Sequence, residues 1–151
     1  MKKLLSLILS FLLLASLCPA LADTPPADQI AASGESVVEW YNKTRSSGEL
    51  ISYTQAGISA GTGYVIATGK TETNTIVNTV EVALIIQIWE NNEWNDYLIK
   101  GYQSCDVNKI HITKAYTVES GHYYRLVTAH TAYHGTTSDI RASVTNSVFV
   151  N

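Results

Sequence analysis

The sequence predicts an all-β fold of antiparallel strands, and three observations carry that expectation. From Glu49 onward the chain is rich in Thr, Val, Ile and Tyr, the residue types that suit a pleated, half-buried surface. Turn-forming residues recur at fairly even intervals along the same stretch. Between 80 and 89 the residues alternate, with Val80, Val82, Leu84, Ile86 and Ile88 on one face and Glu81, Ala83, Ile85, Gln87 and Trp89 on the other.

About seven strands are expected, over 50–59, 63–71, 77–89, 94–103, 109–118, 123–131 and 139–150. Short strands without intervening helices suggest an antiparallel sandwich of immunoglobulin- or fibronectin-like architecture, with a closed barrel as the alternative. Gly57, Gly61, Gly63 and Gly69 read as residues of hairpin turns.

Trp89-Glu90-Asn91-Asn92-Glu93-Trp94 reads as a hairpin tip, because Asn tolerates the positive φ of a two-residue loop. The register then places Trp89 opposite Trp94, Gln87 opposite Asp96, Ile85 opposite Leu98 and Ala83 opposite Lys100. Ile86 would meet Tyr97 and Leu84 would meet Ile99 on the core side. The other side combines Trp89, Trp94, Ile85 and Leu98 with Gln87, Asp96 and Lys100. These four apolar residues are the candidate binding face, since rigid aromatics bury much area at low entropic cost. The competing readings are a stabilising Trp pair, and a patch covered by Val37, Val38, Trp40 and Tyr41. Glu90, Glu93 and Asp96 lack the ordered spacing of a calcium loop and read as solvated charge.

The N-terminus reads as an export signal. Met1-Lys2-Lys3 is a short basic start, residues 4–17 are apolar apart from three serines, and Ala20-Leu21-Ala22 offers small residues for cleavage before Asp23. The apolar run is shorter than the roughly 20 residues that a spanning helix needs. An uncleaved anchor and a lipoprotein are the alternatives, but Leu17 before Cys18 and Pro19 after it do not suit lipid attachment. Cleavage leaves 151 − 22 = 129 residues, with 10 − 2 = 8 basic and 13 acidic side chains, a net charge of −5. An acidic chain without a basic run argues against nucleic acid or anionic lipid as partner. Cys105 is then the one cysteine left, and an exported domain without a disulfide suits a bacterium, particularly one with a single membrane. Asn42-Lys43-Thr44 would be a glycosylation site only in a eukaryote. The C-terminal residues show no wall-anchoring motif, so release into the medium is expected. Residues 23–48, with Pro25, Pro26 and Gly34, read as a flexible leader to a β domain over 49–151.

No reaction is specified. His111, His122, His130 and His134 invite a zinc site, but in an extended segment His130 and His134 stand about 13 Å apart, too far to share one metal. Cys105 lies in a loop-like stretch with no second cysteine, and neither a nucleophile elbow nor a phosphate-binding loop occurs. No cofactor or metal is expected.

Gly121-His122-Tyr123-Tyr124-Arg125-Leu126, with His130 beyond it, is the most distinctive stretch. Together with Ala56-Gly57, Gly69-Lys70-Thr71 and Trp94 after a polar turn, it resembles a family of small secreted proteins of unknown function from Gram-positive bacteria (Firmicutes). The family pattern is Gly-Tyr-Tyr-Tyr-Arg-Val with a His shortly after, so His122 and Leu126 depart from it. The resemblance spans about residue 50 to the C-terminus and implies a signal peptide, one β domain and no established activity. The same stretch is similar to the penultimate strand of fibronectin-type sandwiches. That similarity places Tyr124, Leu126, Thr128 and His130 inside and Arg125 and Val127 outside. The expectation is a secreted, non-enzymatic module binding an extracellular glycan, peptide or protein. The alternative is a self-associating structural protein, and a hydrolase or inhibitor comes behind both.

Overall fold

The computed structural model describes residues 25, 35–38 and 50–151. The expected cleavage site, Trp40 and Tyr41 lie outside the described residues. Among the described residues there is no helix. Every strand is antiparallel to its neighbours in one sheet, made of β1 (Glu35–Val38), β2 (Ile51–Gly61), β3 (Tyr64–Glu90), β4 (Glu93–Thr117), β5 (His122–His134), β6 (Thr137–Val144) and β7 (Val148–Val150). Beyond residue 50 the seven expected strands are six. The second and third merge into β3, the fourth and fifth merge into β4, and the last divides into β6 and β7. β1 lies inside the expected leader and pairs with β2, Val37 with Gly57 and Val38 with Ala56.

The two long strands form one hairpin, closed at Asn91 (φ 55°) and Asn92 (φ 63°) as the two-residue loop requires. One flank of β3 is lined by β4 along its whole length, and the other is lined first by β2 and then by β5. Midway the hairpin bends. Pairing of β3 is irregular between Glu72 and Val77, and Asp106 opposite takes φ 54°. The polar run Thr71–Thr75 that resembles a loop is this corner, where Thr73 Oγ1 donates to the Thr75 carbonyl at 2.7 Å.

Past the corner the two arms of the sheet face one another. Tyr102 and Tyr116 belong to the same strand, and 14 extended residues would separate them by roughly 45 Å; their hydroxyls are hydrogen-bonded at 2.7 Å. The sheet is thus curled into a half-barrel instead of being divided into the two sheets of a sandwich. Its core is Ile58, Val65 and Ala67 from one arm against Val80, Val82, Leu84, Ile86, Tyr124 and Leu126 from the other. The alternation expected over 80–88 and over 124–130 is the one observed, inward residues being buried. Gly69 lies within β3, not in a turn.

The open seam between β2 and β6 is closed by side chains. Asp139 Oδ2 accepts from the Ile51 amide at 2.9 Å, and Arg141 Nη2 donates to the Ile51 carbonyl at 2.6 Å. Behind them runs a buried polar chain, Thr54–Ser143–Thr128–His130–Thr71. Both ring nitrogens of His130 bond threonine hydroxyls, Thr71 at 2.8 Å and Thr128 at 2.7 Å. Burial and nearby Arg141 pull its pKa down from 6.5 to about 4, so the ring is neutral at pH 7.

Among the described residues β4 pairs only with β3, so its outer edge is a 25-residue template for pairing with other chains. Three devices guard it: an extra residue at Tyr97, the left-handed Asp106, and lysines on the concave side, Lys100 opposite Leu84 and Lys114 opposite Ala67. Inward-pointing charges make the burial of such an edge against another sheet costly. The double substitution Lys100→Val with Lys114→Val is therefore expected to shorten the lag before turbidity on incubation. Equal lag times for wild type and variant would discount the lysines as guards.

Candidate binding face

Register across β4, β3, β5 and β6 defines the convex side of the second arm as rows running across the strands. Trp94 and Trp89 are opposite one another. Continuing the β3–β5 pairing one step past Ile88–Tyr124 brings Tyr123 into the same row, and Tyr123 pairs with Phe149 of β7. Below lies Asp96–Gln87–Arg125, then Ile99–Ile85–Val127–Val144, then Gly101–Ala83–Ala129–Ala142, then Gln103–Glu81–Thr131–Ile140.

The aromatic row is ordered by an edge-on contact and a tilted one. Trp89 and Trp94 meet at 5.1 Å between ring centroids with planes at 62°, and Tyr123 meets Phe149 at 4.9 Å. Pairs of this kind contribute about 0.5–1.5 kcal/mol beyond their buried area. The Arg125 guanidinium stacks 4.5 Å from the Trp94 ring centroid. Arg125 Nε donates to Gln87 Oε1 at 2.8 Å, and Gln87 Nε2 donates to Asp96 Oδ1 at 2.7 Å, so the cation is held in place from below. Burial lowers the Arg125 pKa, but a guanidinium remains charged at neutral pH. The Trp89 indole N–H is buried without a hydrogen-bond partner among the described residues, a cost of about 1–3 kcal/mol that packing elsewhere has to offset.

Beneath the aromatic end, branched aliphatic side chains form a ridge, with Ile99 58% exposed. Beside it Gly101, Ala83 and Ala129 floor a depression of about 310 Å³, edged by Gln103, Glu81 and Thr131.

Three of the four residues expected to form a binding face do share it: Trp89, Trp94 and Ile85. Leu98 does not. Because Tyr97 is an extra residue between Asp96 and Leu98, Leu98 pairs with Ile86 and packs on the core, and Ile99 takes the outward position opposite Ile85. Lys100 moves to the inner side for the same reason, opposite Leu84. The Tyr97 ring turns onto Tyr124, centroids 5.6 Å apart. Val37 and Val38 are paired to β2. The expected register missed the depression and Ile99, and the signal for them was the recurrence of Gly or Ala on four strands, which aligns only once the bulge is known.

The remaining polar residues are dispersed. Cys105 is exposed on β4, His111 is exposed, and His130 is in the core. His122 Nδ1 stands 3.8 Å from Glu90 Oε1. Among the described residues no three His, Cys, Asp or Glu groups are placed to hold a metal ion. The chain matches no family model, no curated protein and no solved structure.

Proposed function

We propose that this is an exported, non-catalytic β domain that captures an extracellular glycan, peptide or protein surface at the aromatic end of its convex face. One observation carries the reading: a row of four aromatic residues, Trp94, Trp89, Tyr123 and Phe149, with the Arg125 cation fixed on Trp94. Flat rings and a stacked guanidinium on a sheet offer a rigid surface that binds at low ordering cost. The basic, apolar start of the chain and its resemblance to small secreted proteins of Gram-positive bacteria support the exported setting. Its acidic balance disfavours nucleic acid as partner.

Tryptophan fluorescence titrated with neutral oligosaccharides and with proline-rich peptides tests this. A saturable change is expected with one class of probe, and Trp94→Ala should weaken that binding at least tenfold, about 1.4 kcal/mol, while staying folded with a thermal midpoint lowered by the several degrees that loss of one aromatic pair implies. Unfolding of Trp94→Ala, or unaltered binding by it, would show that the pair serves the fold alone.

A further inference from the structure

The lower part of the convex face has a property that ligand capture at the aromatic end does not use. A ridge of branched side chains (Ile99, Ile85, Val127, Val144) runs parallel to a trench of minimal ones (Gly101, Ala83, Ala129, Ala142), strand for strand across β4, β3, β5 and β6. We propose that this surface is the interface of a two-fold dimer, in which the ridge of each copy sits in the trench of the other.

The geometry follows from symmetry. A half-turn about an axis lying in the face, between the Ile85 row and the Ala83 row, keeps each strand over its own equivalent and reverses its direction. Ile99 then lies over Gly101 of the second copy, Ile85 over Ala83, Val127 over Ala129 and Val144 over Ala142. Each contact occurs twice, as an isologous interface requires. A different partner would need a trench or a ridge; a second copy of the same surface needs both, adjacent and aligned.

Charge agrees with shape. The two interdigitating rows carry no charged side chain, the charge depletion found at the centre of interfaces, and Glu81, Asp96 and Arg125 lie in the rows that flank them. The same rotation sets Glu81 over Gln87 of the second copy, within reach of Arg125, while Asp96 stays occupied by the Gln87 amide. Ile140, 69% exposed at the end of the Glu81 row, comes within the covered area. Packed sheets lie about 10 Å apart with strands inclined by some 30°, so their corners splay. The Trp89–Trp94 end lies five residues, roughly 17 Å, from the axis. Each dimer therefore carries two aromatic ends at its rim.

Sedimentation velocity on protein purified after expression of the full 151-residue chain, with reductant present so that Cys105 cannot cross-link copies, reads the interface directly. A monomer–dimer equilibrium is expected between nanomolar and hundreds of micromolar protein. Ala83→Gln with Ala129→Gln, which fills the trench from the solvent side, should leave only monomer, as should Ile99→Lys at the exposed ridge. Both should keep the β circular-dichroism spectrum, and Trp94→Ala should remain dimeric. A wild type that stays monomeric throughout, or a dimer that persists in both folded variants, would overturn the proposal. Loss of ligand capture in Trp94→Ala with the dimer intact concerns the aromatic end alone, so the two readings fail separately.

Discussion

Acidification from pH 7 to pH 4 is expected to remove roughly 3 kcal/mol of folding stability through His130 alone. Its ring is fully buried, and its pKa falls from 6.5 to about 4 in the folded protein. Between those values the unfolded chain takes up a proton that the folded chain refuses, so protonation favours unfolding. The contribution is fully present above pH 6.5, declines as the pH falls towards 4 and is flat below that. The difference of 6.5 − 4 = 2.5 units at about 1.36 kcal/mol each gives the magnitude. Glu72 acts in a different window. Lys70 holds its carboxyl below the ordinary 4.5, so its share is lost only under more acidic conditions.

Urea midpoints measured between pH 7.5 and 4.5 would follow the His130 effect. The variant His130→Gln, which keeps a polar side chain among Thr71 and Thr128, should lose most of the slope. An equal slope in wild type and variant, or a His130 ring that titrates near 6.5 by NMR, would defeat the assignment. Such a loss matters for function because His130 lies on the inner side of β5, directly behind the strand that presents Val127 and Ala129.

The sequence rendered the alternation of β3 and β5 legible because one side of each strand is buried and the other is not. Val80, Val82, Leu84, Ile86 and Ile88, with Tyr124, Leu126, Thr128 and His130, face inward as their periodicity requires. The hairpin loop was equally legible, since Asn91-Asn92 tolerates the positive φ that the turn imposes. Strand boundaries were obscured where polar residues stay within a strand: Thr71–Thr75 and the stretch around Asp106 have the composition of turns but form a bent corner with strands continuing on either side. The candidate face was half legible for a related reason. Side-chain direction has a period of two, so the single extra residue at Tyr97 exchanged Leu98 for Ile99 and carried Lys100 inward. Nothing local marks Tyr97 as extra; its ring finds Tyr124, 27 positions later, only in the folded chain. The ridge and trench depend on the alignment of four strands, which no single segment encodes.

Gly69→Val is expected to destabilise the protein by more than the approximately 1–3 kcal/mol typical of one overpacked methyl group, and Gly69→Ala by about that amount. A Cβ at position 69 would stand 2.7 Å from Leu84 Cδ2 and 2.9 Å from Val82 Cγ1. All three residues belong to β3, so these contacts exist only because the strand folds back on itself. The backbone of one arm therefore rests directly on side chains of the other, and glycine is required for closeness, not for an unusual φ. A double-mutant cycle separates this from a simple loss of strand propensity. Leu84→Ala alone should cost about 2–5 kcal/mol, but combined with Gly69→Ala it removes the nearer of the two clashes and leaves the one with Val82 Cγ1, so the pair should cost less than the sum. Additivity within about 0.5 kcal/mol would mean that the arms do not meet at Gly69. The same contact bears on the convex face. Val82 and Leu84 alternate along β3 with Ala83 and Ile85, so whatever the first arm presses against on the inside fixes how flat the ridge and trench lie on the outside. A methyl group at position 69 should thus weaken dimerisation as well as folding, without touching any residue of the interface.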